Sequence, residues 1–332
     1  MQTIYFKNKP KILATGTIAG PKECAGVVGK YVDKALTDDR FGESTYEKAE
    51  CKMLSYAISK AIENAGGNEQ DVDMLISGDL LNQIISASFA ARDFDIPFLG
   101  VYGACSTLAE SYALAAALVN AGYYKKIVAA TGSHFSSAER QYRYPLELGN
   151  TRPPQSQWTV TGAGGAFIAD MGGGNDSTCI TCATIGKVVD FGITDVNNMG
   201  AAMAPAAAST ILTHLRDTGR EPDYYDLIVT GDLGALGSRI VKDLTWEKGV
   251  DIQNNHVDCG EIIYNVIEDE FQGGSGAGCS AVVFNSYIFD KLKRRSINRV
   301  LLAATGALLS TVSSGQGESI PCICHAVAIE NM

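Results

Sequence analysis

The sequence predicts an α/β protein built from two similar halves, and three observations support this fold class. Short apolar stretches typical of buried strands alternate along the chain with longer segments of helical periodicity. Two stretches recur in the same order: Asp73-Met-Leu-Ile-Ser-Gly-Asp-Leu80 resembles Asp226-Leu-Ile-Val-Thr-Gly-Asp-Leu233, and Ile127–Gly132 resembles Leu301–Gly306. The chain has 332 residues, of which 46% are apolar and 19% charged. This length and composition suit roughly two domain-sized units with a large core.

The first elements along the chain predict a strand, a helix, a strand and a second helix. A strand is predicted near Lys11–Thr15. A helix is predicted over Glu47–Glu63, where apolar residues recur at helical spacing, and Gly66-Gly67 ends it. Val72–Ile76 predicts a buried strand, and a further helix is predicted through residues 80–91.

The stretch that follows, Ile96–Leu108, predicts a short buried strand, a sharp turn at Gly103-Ala104 and a helix that runs to about Asn120. Cys105 lies at this turn. It should face the unpaired N–H groups and the positive end of the helix dipole, which both favour a thiolate. Two interpretations remain open for this elbow, because a reactive or ligand-binding cysteine and a cysteine that only packs share this pattern.

The rest of the first half predicts two more strands, Lys126–Thr131 and Gly162–Asp170, with a loop-rich segment over 133–160 between them. The glycine run Gly172-Gly173-Gly174 predicts a hinge between the halves. We therefore expect two units, with the cysteine elbow in the first: 1–174 and 175–332.

The repeat also predicts how the halves meet. The spacing between the second pair of repeated stretches, applied to Cys105-Ser106, leads to Cys279-Ser280 as the equivalent positions. Strands that alternate with helices usually lie parallel, with helices on both faces of the sheet. We expect the helix starts that carry Cys105 and the Gly273–Cys279 turn to point into one shared crevice.

Composition excludes several classes of function. The formal net charge is −10, and the single basic cluster, Lys291–Arg295, lies where a helix should end, so nucleic acid is not an expected partner. No secretory pattern is visible, and no apolar run reaches the roughly 18 residues of a membrane span. The nine cysteines lack the spacing of a disulfide framework, which indicates reduced thiols.

Two cofactor patterns need to be weighed. Cys179-x-x-Cys182 and Cys322-x-Cys324 contain four thiols, enough for a zinc site, but we expect their strands not to be neighbours. Gly162-Ala-Gly-Gly165 lacks the full dinucleotide fingerprint and precedes a strand instead of a helix. We therefore expect no metal and no cofactor.

Duplicated α/β halves with a cysteine at the first elbow resemble the thiolase and ketoacyl-synthase superfamily over nearly the whole chain. The resemblance implies a thiolase-like fold, with two halves packed as a layered αβαβα sandwich, and a homodimer. Four stretches are similar to a family of proteins that act in bacterial spore formation: Gly103–Glu110, Ala138–Glu147, Arg152–Gly162 and Cys322–Val327.

Membership of that family implies binding of dipicolinic acid, free or as its calcium chelate, and a part in its uptake into the spore. The implied partners are dipicolinate and other subunits of a spore membrane channel. The implied location is cytoplasmic or peripheral to the spore inner membrane.

Condensing enzymes of the superfamily pair their cysteine with a histidine and an asparagine, or with two histidines. The resemblance places these partners at Gly231 and Gly274, so both are missing. Loss of one such donor commonly costs about 100- to 1000-fold in rate. The alternative is an active acyltransferase that uses Cys105 with Cys322, which resembles the acid/base cysteine of thiolases by position, and with His325.

A dipicolinate site needs guanidinium groups, backbone N–H groups and an apolar or aromatic slot, because the ligand is a planar pyridine with two carboxylates. The segment from Ser133 to Trp158 offers arginines and aromatic residues, Tyr142 and Tyr144 among them. The predicted ligand-binding residues are Cys105, His134, Arg140, Arg143, Arg152, Trp158 and His325.

Overall fold

The computed structural model describes residues 1–143, 146, 149, 151–172, 177–264 and 272–332. The expected boundary between residues 174 and 175 falls outside the described residues, as do Gly173, Gly174 and Tyr144.

Helices and strands alternate through both halves. The strands are β1 Thr3–Tyr5, β2 Lys11–Ala19, β3 Lys34–Ala35, β4 Met74–Gly78, β5 Phe98–Gly100, β6 Lys126–Ser133, β7 Trp158–Thr159, β8 Gly162–Ala169, β9 Thr178–Thr184, β10 Leu227–Thr230, β11 His256–Asp258, β12 Gly274–Ser275, β13 Arg299–Ala307 and β14 Cys322–Asn331. The helices are α1 Pro21–Cys24, α2 Tyr46–Asn64, α3 Ile85–Arg92, α4 Thr107–Asn120, α5 Phe135–Tyr142, α6 Met199–Thr218, α7 Gly234–Trp246, α8 Cys259–Ile263, α9 Ala277–Val283, α10 Phe289–Lys293 and α11 Thr311–Gly315.

The two halves repeat one strand order. In the first half β5, β4 and β6 are parallel neighbours, β8 lies antiparallel beside β6, and β2 lies antiparallel beside β8. In the second half β11, β10 and β13 are parallel neighbours, followed by antiparallel β14 and β9. The sheets meet at β2 and β9, where Lys11 pairs with Cys179. The predicted duplication is confirmed.

Helices cover both sheets and fill the space between them. α2 and α3 pack on the outer face of the first-half sheet, and α6 and α7 pack on the outer face of the second. α4 and α9 lie between the sheets, where buried Leu108, Tyr112, Val282 and Phe284 join the central core. The predicted five-layer αβαβα arrangement is therefore present.

Three local predictions are wrong. The strand before the elbow, β5, was predicted to be buried but lies exposed at the edge of the sheet. An apolar run alone does not show whether a strand has a neighbour on both sides. The segment over 133–160 contains a helix, α5, capped by His134. The strands β9 and β14, expected to lie apart, are direct neighbours, although Cys182 pairs with Ala328 and Cys179 with Glu330, several positions from the other cysteine pair.

Candidate functional site

The elbow after β5 has the predicted geometry. Ala104 has a φ of 51°, in the left-handed region that non-glycine residues rarely adopt. A single 3-10 turn over Ala104–Ser106 then leads directly into α4. The hydroxyls of Ser106 and Thr107 each donate to a carbonyl within the turn, to Gly103 and Ala104, both at 2.6 Å. These bonds hold Cys105 at the start of the central helix layer.

Cys105 lines a cavity of about 40 Å³ between the two halves. The first half contributes the elbow and α5, and the second contributes the turn before α9 and the loop after β13. The walls include Tyr102, Tyr142, Arg143, Met199, Gly276 and Leu309. The predicted shared crevice is therefore present, with a cysteine from the first half at its surface.

The surroundings of the sulfur oppose a thiolate. Cys105 is buried, and its thiol donates to the carboxylate of Asp232; burial and this negative charge raise the pKa of the thiol well above its usual value. The Gly276 N–H and the Arg143 guanidinium lower this pKa, but by less. The expectation of a favoured thiolate is wrong, because a helix dipole contributes about 0.3–1 kcal/mol, less than the cost of burying the charge.

Asp232 follows β10 and is itself buried. Its Oδ1 accepts from the Thr305 hydroxyl at 2.6 Å, and its Oδ2 accepts from the Gly276 N–H at 3.3 Å. Its pKa is raised to about 7; burial is the largest cause of this rise, and the charge of nearby Asp258 contributes to it. Asp258 accepts bonds from the Thr230 hydroxyl and several backbone N–H groups and has a pKa raised to about 6 by burial. The cysteine is thus paired with a carboxyl group near its titration point at neutral pH.

All four histidines lie in the described part of the chain, and each bonds to groups other than the Cys105 sulfur. His134 Nε2 lies 2.7 Å from the Asp39 carbonyl, and His325 Nδ1 accepts from the Gly186 N–H at 3.3 Å. His214 is fully buried between Thr184 and Tyr225, and His256 lies 2.9 Å from the Thr230 hydroxyl. Neither His134 nor His325 lines the cavity.

The places assigned to condensing partners are packed glycines. A Cβ at Gly231 would lie 3.1 Å from Ala304 Cα, and one at Gly274 would lie 2.7 Å from Ile263 Cγ2. Cys322, the candidate acid/base cysteine, belongs to the core beneath α6. The structure therefore brings a carboxyl group, and not an imidazole, to the sulfur.

Of the predicted ligand-binding residues, Arg143 and Cys105 share the cavity. The side chain of Arg143 is buried, and its Nη2 donates to Glu139 and, at 3.0 Å, to the Thr159 hydroxyl. Arg140 lies on the exposed face of α5, and its Nη1 is 4.0 Å from Glu47 Oε1. The arginine on α5 and the arginine directly after its end thus have different surroundings.

Two further predicted residues, Trp158 and Arg152, belong to a separate cluster. The Trp158 ring stacks on Phe135 with centroids 3.8 Å apart, and Lys22 Nζ lies 3.8 Å from its ring centroid. Arg152 lies 4.6 Å from the same ring and donates to the Gln157 carbonyl. These side chains pack with one another and are not among the residues that line the cavity.

Sequence reasoning missed Asp232 and Thr305, which complete the site from the second half together with Gly276 of the expected Gly273–Cys279 turn. One signal was available: the Gly-Asp-Leu at the end of β10 repeats the one at the end of β4. Within the described ranges, no group of three metal-ligating side chains is found, and all nine cysteines are free. No helix in these ranges has the length and hydrophobicity needed to cross a bilayer.

Comparisons with known proteins agree with this geometry. The family model described as Stage V sporulation protein AD matches residues 1–330. The protein of that name from Bacillus subtilis (strain 168) is 46% identical over 329 residues, which cover 99% of this chain and 96% of the relative.

Solved structures share the fold at much lower identity. The 3-oxoacyl-[acyl-carrier-protein] synthase III from Aquifex aeolicus VF5 superposes with a TM-score of 0.58 at 13% identity, covering 97% of this chain and 99% of that one. Cerulenin-bound OleA from Xanthomonas campestris gives a TM-score of 0.62 at 13% identity, covering 98% of both chains. The predicted thiolase-like fold is confirmed.

Proposed function

This chain belongs to the stage V sporulation protein AD family, and we propose that its cavity beside Cys105 binds dipicolinate, free or as its calcium chelate. The protein takes part in the uptake of this ligand into the spore and catalyses no reaction on it. The observation that carries the proposal is a buried guanidinium, that of Arg143, at a cavity whose cysteine has a carboxyl partner.

The chemistry of the cavity suits a planar dicarboxylate. The hydrogen bonds of Arg143 to Glu139 and Thr159 both use Nη2, one of the three guanidinium nitrogens, and a guanidinium fork matches a carboxylate. The Gly276 N–H lies beside the sulfur, where it donates to Asp232. Tyr102, Tyr142 and Leu309 offer aromatic and apolar walls for the ring.

The cavity has to widen to admit this ligand. A volume of 40 Å³ holds about three water molecules, far less than a substituted pyridine. Tyr142 donates its hydroxyl to the Leu80 carbonyl and also hydrogen-bonds to the Tyr102 phenol. Breaking these two contacts moves one wall without disturbing either sheet, so we assign the opening to this tyrosine pair.

Isothermal titration with dipicolinate tests the proposal. We expect Arg143→Gln to weaken binding by about 10- to 100-fold, since a charge-assisted bond contributes about 1.5–3 kcal/mol. Arg140→Gln, on the exposed face of the helix that Arg143 follows, is the matched control and should bind as the wild type does. Absence of heat with millimolar dipicolinate, from a folded wild-type protein, contradicts the proposal.

The raised pKa of Cys105 supports the absence of catalysis, because the thiolate is the nucleophile in acyl transfer. Exposure to acyl-CoA followed by mass spectrometry separates this from the rival function, an acyltransferase. We expect no adduct on Cys105. A stable acyl-cysteine that disappears in Cys105→Ala would establish the enzyme instead.

A homodimer through the β5 edge completes the proposal. The side of the sheet at β5 exposes Phe98 and Leu99 at 36% and 37% of their surfaces, and neighbouring α3 exposes Phe89 at 45%. An apolar edge strand is a ready surface for a second strand. Sedimentation should give a dimer for the wild type and a monomer for Leu99→Lys. If Leu99→Lys is still a dimer, the interface lies elsewhere.

We also propose that the protein reaches the spore inner membrane through other subunits of a membrane channel. The support is family membership, together with the finding that no described helix can span a bilayer. Flotation with vesicles should leave the isolated protein unbound. Binding to lipid alone would replace partner docking with a direct membrane contact.

A further inference from the structure

The charges around the cavity beside Cys105 are unbalanced before any ligand arrives. Among the described residues the lining includes a single arginine, Arg143, and it is already paired with Glu139. Behind the sulfur lie two buried carboxyl groups, Asp232 and Asp258. An anionic ligand therefore adds negative charge to a site where Arg143, the lining cation in the described part of the chain, already has a partner.

Asp232 is the carboxyl group that hydrogen-bonds to the Cys105 thiol, and several elements contribute groups around it. Thr305 of β13 and the Gly276 N–H donate to it, and the Cys105 thiol does the same. Among the described residues, the ionisable groups that interact with it from other elements are Asp258 at the end of β11, Cys259 on α8, Cys279 on α9, and Cys322 and Cys324 on β14. Arg143, which directly follows α5, lines the same cavity and is paired with Glu139 of that helix.

We propose that a carboxylate ligand enters this cavity together with one proton, which is taken from solvent and binds to the carboxyl group of Asp232. This inference rests on the proposed function, since it needs an anionic ligand at the Cys105 cavity. A second negative charge nearby disfavours the ionised form of a buried carboxyl group. Protonation keeps the acceptor that Thr305 uses and removes the repulsion between protein and ligand.

The direction of the pH dependence follows. In the free protein the pKa of Asp232 is about 7, so above neutral pH the group is ionised before binding. The ligand raises that pKa. At a pH between the pKa of Asp232 in the free protein and its pKa in the complex, ligand binding is therefore accompanied by uptake of a proton. In this range Kd should rise about tenfold for each pH unit, and below about pH 6 it should level off.

Titration calorimetry with dipicolinate at pH 8, in two buffers with different heats of ionisation, measures this proton directly. We expect uptake of about one proton per ligand in the wild type and close to none in Asp232→Asn. Asp79→Asn, at the matching position of the repeat, should keep the wild-type uptake, because Asp79 bonds to the N–H groups of Leu81 and Ala87 instead of facing Cys105.

The outcomes distinguish this inference from the proposed function. No heat in any buffer overturns both. Heat that is identical in the two buffers, or proton uptake that persists in Asp232→Asn, overturns the inference and leaves ligand binding intact. Thr305→Val provides a second measurement if Asp232→Asn does not fold: loss of the hydroxyl donor should move the pH dependence of Kd to higher pH, and an unmoved curve contradicts the assignment to Asp232.

Discussion

The two halves contain the same pieces at the same places, yet they use them differently. Each half has a parallel strand that ends in Gly-Asp-Leu, with Asp79 in the first and Asp232 in the second. Asp79 accepts two backbone N–H groups at 2.7 Å, from Leu81 and Ala87, and so organises its own loop. Asp232 accepts one backbone N–H at 3.3 Å and faces the cysteine of the other half.

The two elbows differ in the same way. At the first, the left-handed residue is Ala104, directly before Cys105, and the sulfur lines the cavity. At the second, the left-handed residue is Gly276, three positions before Cys279, whose side chain joins the central core. Duplication thus supplied two elbows, and the site combines the elbow of one half with the carboxyl group and turn of the other.

The largest expected effect tests the different roles of the two left-handed residues. Gly276→Ala places a Cβ at a φ of 102°, 2.9 Å from Ser133 Oγ and 3.1 Å from Thr159 Cγ2. We expect a loss of about 2–4 kcal/mol of unfolding free energy in urea. Ala104→Gly relieves left-handed strain but adds freedom to the unfolded chain, so it should change stability by less than about 0.5 kcal/mol. Equal losses at both positions would mean that the elbows are equivalent.

An intermediate effect concerns the two aspartates. The pKa of Asp232 is raised to about 7, so the folded state holds its proton more tightly than the unfolded chain, and stability falls as pH rises from about 4 to 7. Asp232→Asn removes this loss and should stabilise the protein at pH 8 by about 1–3 kcal/mol, with little gain at pH 4.

Asp79→Asn should stabilise the protein at pH 8 by only about 1–2 kcal/mol, although burial also raises the pKa of Asp79, to about 6. The first reason is that the pKa of Asp79 rises less far than that of Asp232, so less stability is lost at pH 8. The second is that an amide gives up one acceptor oxygen, and at Asp79 that oxygen accepts a backbone N–H at 2.7 Å. Urea unfolding of both variants at pH 4 and pH 8 measures the difference. A gain at Asp79 that equals the gain at Asp232 would contradict the distinction between a loop organiser and a site residue.

The sequence was sufficient for features set by local pattern and by repetition. The helix over residues 47–63, the turn at Gly103-Ala104 and the duplicated halves are confirmed, because periodicity, small residues and an ordered repeat are visible in the chain itself. The buried site was less accessible. Asp232 and Thr305 reach Cys105 through the packing of two sheets, and no local pattern announces that contact.

The arginines illustrate the same limit. Three lay within one segment, and they were predicted as a group. Arg140 lies on the exposed face of α5, Arg143 is buried directly after the end of that helix, and Arg152 stacks on Trp158. A helix that sequence reasoning interpreted as loop therefore separated residues that composition had grouped.

The smallest expected effect concerns the two cysteines themselves. Asp232 raises the pKa of the Cys105 thiol, so Asp232→Asn should lower that pKa and increase the thiolate fraction at pH 8. A thiol of lower pKa is also a weaker nucleophile, so a tenfold gain in thiolate yields only about a threefold faster alkylation. Mass spectrometry after timed exposure to iodoacetamide measures the rate at each cysteine. Cys279, fully buried in the central core, should remain unmodified in both proteins. Alkylation of Cys279 at the rate of Cys105 would show that the second elbow also opens to solvent, and the division of roles between the halves would then fail.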